Sequence, residues 1–317
     1  PVLIAQLAWF MHWKKFFGYL LNWFDIYLIN IMNDEYKNYE IYKHFINSKL
    51  HSTKGNTFFP IYEELFSSYR DKDIVFVEIG VQRGGSLFMW RDYFGKKAKI
   101  IGIDFYPEVK KLEKYGFEIF IGDQSSESFW KSFFSKVGKI DILLDDGGHT
   151  NENQILTINH AIQNINDGGL LVTEDTLSSY GKKFFNPSKY SFINYSKFLI
   201  DDINGRIFDK THEDTKYIGV TKKNSLNKTI YSIKFFNNFV AFFIDRKKCI
   251  EFKHLFNRDL KEDPSEIIKD DYKNPRWNSE IYWGNISKLI LFLSKKMNFL
   301  KKIIFLKVLV YKLKYFF

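Results

Sequence analysis

The sequence is poor in the residues that staple or anchor a fold. One residue of 317 is cysteine, Cys249, which excludes an internal disulfide framework and any cysteine-based zinc site, and agrees with a reducing cytosol. Proline is scarce, and two of the six, Pro264 and Pro275, act as breakers in a mixed, charged stretch over 249–280. Long apolar runs are missing too. The uncharged run from Pro1 to Trp13 is too short to span a bilayer, and the next, Phe16 to Asn33, carries Asp25 near its centre. No small-residue cleavage site accompanies them, so a secretory signal is not expected. A hydrophobic helical arm over residues 1–49 is expected instead. The chain opens on Pro1 rather than Met, as a trimmed or partial sequence does.

Acidic residues are absent from 281–317, where eight Lys are interleaved with Leu, Ile, Phe and Val. At helical spacing Lys288, Lys295, Lys296, Lys302, Lys307 and Lys314 share one face, while Lys301 and Lys312 stray from it. Such a basic amphipathic extension over 249–317 suits an anionic membrane surface, or else packs on its own domain with lysines in water. The net charge of +10 points to an acidic partner in general terms. The excess of Phe and Tyr, 34 and 19, reads first as base composition.

Between these segments the pattern changes at Asp73 to short apolar runs alternating with amphipathic stretches. Ile74–Ile79, Lys99–Asp104, Phe117–Ile121, Ile140–Asp145 and Leu170–Glu174 have the form of buried parallel strands. Crossover helices fit between them, for example Ser86–Tyr93 and Asn151–Ile165, and Asn166-Asp167-Gly168-Gly169 supplies a turn before the fifth strand. Residues 176–228 are polar and aromatic, a lid or substrate region with some helix. Thr229–Phe236 and Phe239–Arg246 then flank Asn237-Asn238 as a hairpin. Five parallel strands plus an antiparallel hairpin, with helices on both faces, is the Rossmann-like α/β layout of the class I methyltransferase sheet, expected over 50–248.

Three strand ends read as a cofactor cradle. Glu78-Ile79-Gly80-Val81-Gln82-Arg83-Gly84-Gly85-Ser86 sits at a strand-to-helix turn, where glycines admit close approach and the helix N-terminus offers free N–H groups. The pyrophosphate-binding G-x-G-x-x-G is not present, which argues against a nicotinamide oxidoreductase. An acid before Gly80 and three residues between Gly80 and Gly84 suit the cationic methionine end of S-adenosylmethionine instead. Asp104 ends the second strand, placed for ribose hydroxyls, and Asp123-Gln124 follows the third, placed for an adenine edge.

Strands four and five end in Asp145-Asp146-Gly147-Gly148-His149 and Glu174-Asp175. Neighbouring parallel strands bring these four carboxylates into one crevice, where a cation relieves their repulsion. All-oxygen ligands argue for Mg²⁺, with Mn²⁺ or Ca²⁺ as alternatives. His149 is a candidate base for a metal-bound hydroxyl, or else a helix-capping or supporting residue.

These motifs, with Met89-Trp90-Arg91-Asp92-Tyr93-Phe94, Ile101-Gly102-Ile103-Asp104 and Thr173-Glu174-Asp175-Thr176, closely resemble the metal-dependent macrolide-sugar O-methyltransferases and the related cephalosporin-hydroxylase-type proteins. The resemblance implies Asp146, Glu174 and Asp175 as Mg²⁺ ligands and His149 as base. Glu78, Gly80, Gln82, Gly84, Ser86, Asp104, Asp123, Gln124 and Asp145 are the residues expected at the cofactor, and a sugar or glycosylated small molecule is the expected acceptor. Two departures stand out: Gly148 replaces the usual Ser, and an upstream Thr-Asp-Lys element is reduced to Ser52-Thr53-Lys54. A cytoplasmic enzyme, peripheral on the inner face of the membrane and open to oligomerisation, is the resulting expectation. The rival reading is a non-catalytic, membrane-associated assembly protein on the same fold. No Asn-Pro-Pro-Tyr-type motif supports action on nucleic acid.

Overall fold

A computed structural model describes residues 34–181, 191–204 and 225–250. The arm up to residue 33, residues 182–190 and 205–224 of the expected lid, and the tail beyond 250 lie outside the described residues. Among those described, no helix is long and apolar enough to cross a membrane.

Seven strands form one sheet: β1 (Val75–Ile79), β2 (Lys99–Asp104), β3 (Glu118–Ile121), β4 (Ile140–Asp145), β5 (Ile165–Thr173), β6 (Ile230–Phe236) and β7 (Phe239–Ile244). Their order is β3-β2-β1-β4-β5-β7-β6. The first five pair in parallel, and β7 runs antiparallel between β5 and β6. This is the class I methyltransferase arrangement. Because β1 and β4 are neighbours while their sequence order reverses beside them, a crevice opens over their C-terminal ends.

Side chains alternate along each strand, so one face is built from Phe76, Ile142, Leu144 and Val172 and the other from Val77, Leu143, Leu171 and Phe242. The first face is covered by α1 (Glu40–Ile46), α2 (Phe58–Phe66) and α3 (Gly85–Phe94). Buried Ile41 carries the N-terminal α1 into this core. The second face is covered by α4 (Glu127–Val137), α5 (Asn151–Ala161) and α6 (Phe192–Asn204). Ser126 and Thr150 cap α4 and α5 by accepting from the amides of Phe129 and Asn153.

Two elements differ from the sequence reading. Helix α5 ends at Ala161, and a short 3-10 turn over Ile162–Asn164 leads into β5. Asn166–Gly169 does not precede β5 but is a bulge within it. Ile165 pairs with Ile140 and Leu170 with Ile142, and Gly168 takes φ +86° inside the excursion.

Candidate active site

The turn from β1 into α3 is shaped by close packing of two strand ends. Gly80 adopts φ +91°, and a Cβ there would lie 1.9 Å from the carbonyl oxygen of Asp146 at the end of β4. Only glycine permits both. Gln82 and Gly84 also take positive φ, which turns the chain back into the helix. Asp104 Oδ2 accepts from the Gln82 amide at 2.9 Å and Oδ1 from the Tyr106 amide at 3.0 Å, so the end of β2 holds this turn.

Above these strand ends lies a cavity of about 420 Å³. Gly80, Gln82, Asp104, Asp123, Gln124 and Asp146 line it, together with Phe105 and Tyr106, each 66% exposed. Its size falls within the range of small-molecule sites. Five of the nine residues assigned to the cofactor thus reach the cavity wall.

The other four lie behind it. Glu78 is buried and accepts from Ser86 Oγ at 2.7 Å and Trp90 Nε1 at 3.0 Å. Burial pushes its pKa up to about 7, against the lowering pull of the nearby Lys54 ammonium. Gly84 is the N-cap of α3 with φ +87°, closed in by Leu112. Asp145 is buried, which raises its pKa, and its Oδ1 accepts from Gln124 Nε2 and from the Gly147 amide. Gln124 also donates to Thr157 Oγ1 and accepts from the Gly148 amide at 2.8 Å. Its side chain therefore ties the end of β3 to the loop after β4 rather than presenting a free amide to an adenine edge.

Beside the cavity, three groups converge. One ligand atom each from Asp146, His149 and Asp175 lies within 4.8 Å of the other two. His149 Nε2 stands 4.0 Å from Asp146 Oδ1 and 3.6 Å from Asp175 Oδ2, and all three side chains are part-exposed. His149 and Asp175 both take φ +55°, a left-handed backbone conformation uncommon for residues other than glycine. Thr150, not His149, caps the following helix. His149 Nδ1 is buried without a hydrogen-bond partner among the described residues. Two carboxylates and an imidazole of this kind suit a hard or borderline divalent cation.

Glu174 faces elsewhere. It is fully buried; Oε2 accepts from Lys54 Nζ at 2.9 Å and Oε1 accepts a short hydrogen bond from the Tyr62 hydroxyl. Burial raises the Glu174 pKa well above the carboxylate range, with the Lys54 ammonium opposing it. Lys54 also donates to Asp146 Oδ2 at 2.6 Å. Its own pKa is subject to burial, which lowers it, but Asp146 and Glu174 outweigh this and hold the ammonium well above the ordinary lysine value. Burial likewise pushes the Tyr62 hydroxyl up. In the sequence Tyr62 carries no signal of a role, and Lys54 stands out only within the reduced Ser52-Thr53-Lys54 element. Asn238 belongs in sequence to the hairpin turn, yet its side chain donates to Asp175 Oδ1 at 2.8 Å.

No family model matches the chain. In sequence it is similar to an 8-demethyl-8-alpha-L-rhamnosyl tetracenomycin-C 2'-O-methyltransferase of Streptomyces olivaceus, with 29% identity over 159 residues, covering 47% of this chain and 42% of the relative. It is also similar to the demethylmacrocin O-methyltransferase of Streptomyces fradiae, at 30% identity over 134 residues, 40% of this chain and 33% of the relative. The chain thus spans well under half the length of these curated relatives. In fold it is similar to the MycE methyltransferase from the mycinamycin biosynthetic pathway, solved in complex with Mg, SAH and mycinamycin VI. The TM-score is 0.55 at 23% identity, over 64% of this chain and 53% of that one.

Proposed function

We propose that the chain is an S-adenosylmethionine- and Mg²⁺-dependent O-methyltransferase acting on a hydroxyl of a sugar or glycosylated small molecule. The observation that carries this reading is the position of Asp146, which lines the cofactor-sized cavity and also belongs to the Asp146–His149–Asp175 group. A cavity and a candidate cation site that share one residue support a reaction in which a methyl group would pass to a hydroxyl held beside the cofactor. Both relatives are named as O-methyltransferases, one of them for a rhamnosyl tetracenomycin-C, and the similar solved structure holds Mg and SAH, which supports the same assignment here.

In this reading the Gly80 turn and the first turn of α3 would receive the amino-acid end of the cofactor, and Asp104 would accept from its ribose hydroxyls. Asp146 and Asp175 would hold the cation, with Glu174 behind them. When bound, the two groups supply an electrophilic sulfonium methyl and a Lewis acid that lowers the pKa of a hydroxyl. The protein's remaining task is to accept the acceptor's proton. His149 Nε2, 4.0 and 3.6 Å from Asp146 and Asp175, stands at the candidate cation site and would take that proton. Holding both reactants over the same strand ends provides the larger share of the rate gain.

Calorimetric titration of S-adenosylmethionine with and without Mg²⁺, on the wild type and Asp146→Ala, tests the core of the proposal. Cofactor binding that survives the substitution, with Mg²⁺ binding that does not, is the expected result. No cofactor binding in the wild type would transfer support to the non-catalytic assembly protein. A second role for His149 is favoured by one observation: its Nε2 belongs to the converging ligand group. His149→Ala separates the two. Retained Mg²⁺ binding with lost turnover marks a base; lost Mg²⁺ binding marks a ligand.

The eight lysines and absent acids of 281–317 motivate a peripheral contact with anionic membrane as part of this proposal. Liposome flotation of the full chain against one ending at Glu280 tests it. Equal binding of the two removes the tail from that role.

A further inference from the structure

Lys54 lies where a mobile surface lysine is not expected. Its side chain is 2% exposed, and its ammonium faces three carboxylates: Asp146 at 2.6 Å, Glu174 at 2.9 Å and Glu78 at 3.9 Å. These acids come from the ends of three strands, β4, β5 and β1. The segment that carries Lys54 is itself pinned to the first turn of α3. Ser48 Oγ donates to the Gly85 carbonyl at 2.7 Å, and a Cβ on Gly85 would lie 2.4 Å from the carbonyl oxygens of Leu50 and His51. The chain just before Lys54 is therefore held by backbone packing, and the buried side chain carries the ammonium from there to the strand ends.

The consequence lies in how Asp146 is oriented. Its Oδ2 is taken by Lys54, which leaves Oδ1 as the oxygen nearest His149 Nε2. Glu174 has both oxygens engaged, by Lys54 and Tyr62, so it braces the ammonium from the far side. We propose that Lys54 is a positioning residue: it fixes the Asp146 and Glu174 carboxylates from the protein side, so that the cation site is set before an ion arrives. This rests on the methyltransferase reading above and extends it to a residue outside both the cavity lining and the converging ligand group, which it meets through Asp146.

The proposal predicts a sign that charge alone does not. A fixed cation 2.6 Å from Asp146 repels a second cation, so on charge alone its removal tightens metal binding. If Lys54 positions the carboxylates, its removal frees Asp146 to rotate and leaves three acids facing one another, two of them fully buried; metal binding then weakens. The test uses the full chain, S-adenosylhomocysteine by calorimetry, and Mn²⁺ by the loss of its free electron paramagnetic resonance signal. Lys54→Met is expected to hold S-adenosylhomocysteine within about threefold of wild type and to weaken Mn²⁺ by roughly tenfold or more. Unchanged or tighter Mn²⁺ binding overturns the proposal. If Lys54→Met does not fold, Glu78→Gln in the same chain removes one of the three facing acids. That double variant is compared with Glu78→Gln alone, and a parallel loss of both ligands there indicates a purely structural role and also overturns the proposal. A wild type that binds neither probe defeats the methyltransferase reading itself, an outcome distinct from any failure confined to Lys54.

Discussion

The Asn238 side-chain amide donates to Asp175 Oδ1 at 2.8 Å, joining the β6–β7 hairpin to a carboxylate 63 residues earlier in the chain. The same residue accepts from the Thr176 amide through its carbonyl and from the Leu177 amide through its side-chain oxygen. The antiparallel addition to the sheet therefore fixes one wall of the candidate cation site. Asn238 takes φ +68°, so glycine is the substitution that preserves the backbone while deleting the amide. Asn238→Gly is expected to weaken Mn²⁺ binding about tenfold, in keeping with the loss of a hydrogen bond to a charged group. Equal affinities in the two proteins would remove the hairpin from the site.

The glycine at the cofactor turn allows a test with an internal control. Gly80→Ala puts a methyl group against backbone, 1.9 Å from the Asp146 carbonyl oxygen, where no side chain can move aside. S-adenosylhomocysteine binding is expected to fall by roughly a hundredfold or more, as befits a loss of several kcal/mol at the strand ends. Gly116→Ala has a similar φ, +83°, but meets nothing within 4 Å. It is expected to cost about 1 kcal/mol of stability and leave cofactor affinity unchanged. Calorimetry on both variants reads the contrast, and equal effects would refute the close-approach argument.

The order of the site along the chain is legible in the sequence, because parallel strands place their C-terminal ends in a row. Gly80, Asp104, Asp123, Asp146 and Asp175 each follow a recognisable apolar run, and alternation with amphipathic segments fixes the sheet to which they belong. Lys54 and Tyr62 are not legible in this way. They precede the first strand and meet Glu174 across 120 and 112 residues of sequence, a pairing that no local periodicity encodes. Gln124 shows a different limit. Its place at a strand end can be read, but its amide is spent on Asp145, Thr157 and Gly148, which only the folded loop brings within reach. Likewise Asn166–Gly169 reads as a turn, yet the strand continues through it as a bulge because Ile165 finds a partner in Ile140.

Glu78 gives the fold a pH dependence of predictable sign. Burial raises its folded-state pKa from 4.5 to about 7, so the folded protein binds this proton more tightly than the unfolded chain. The associated stability is fully present below about pH 4.5 and is lost as pH rises through 7. The shift corresponds to roughly 3 kcal/mol for this fully buried group. Urea melts in chelator, without cofactor, are expected to show the stability difference between wild type and Glu78→Gln moving by that order between pH 4.5 and pH 8, with the variant gaining at the alkaline end. A difference that stays constant across this range would mean that Glu78 keeps an ordinary carboxylate pKa in the fold.

Tyr62 separates hydrogen bonding from packing within the acid cluster. Its ring meets Phe58, Phe66, Trp90 and Phe239 edge-on or stacked, and Tyr62→Phe retains all of these contacts. What it removes is the donor to Glu174 Oε1, leaving that buried oxygen without its partner. A buried acceptor so exposed costs about 1–3 kcal/mol, or roughly 3–10 °C in melting temperature for a domain of this size. The Tyr62 bond lowers the Glu174 pKa, so its loss drives an already raised value further up. Protonated Glu174 no longer needs the donor, and the penalty is therefore largest at alkaline pH and shrinks as pH is lowered. Melting temperatures of the two proteins across pH, in chelator, read this directly. A penalty that grows toward acid pH would show that the hydroxyl supports something other than the Glu174 carboxylate.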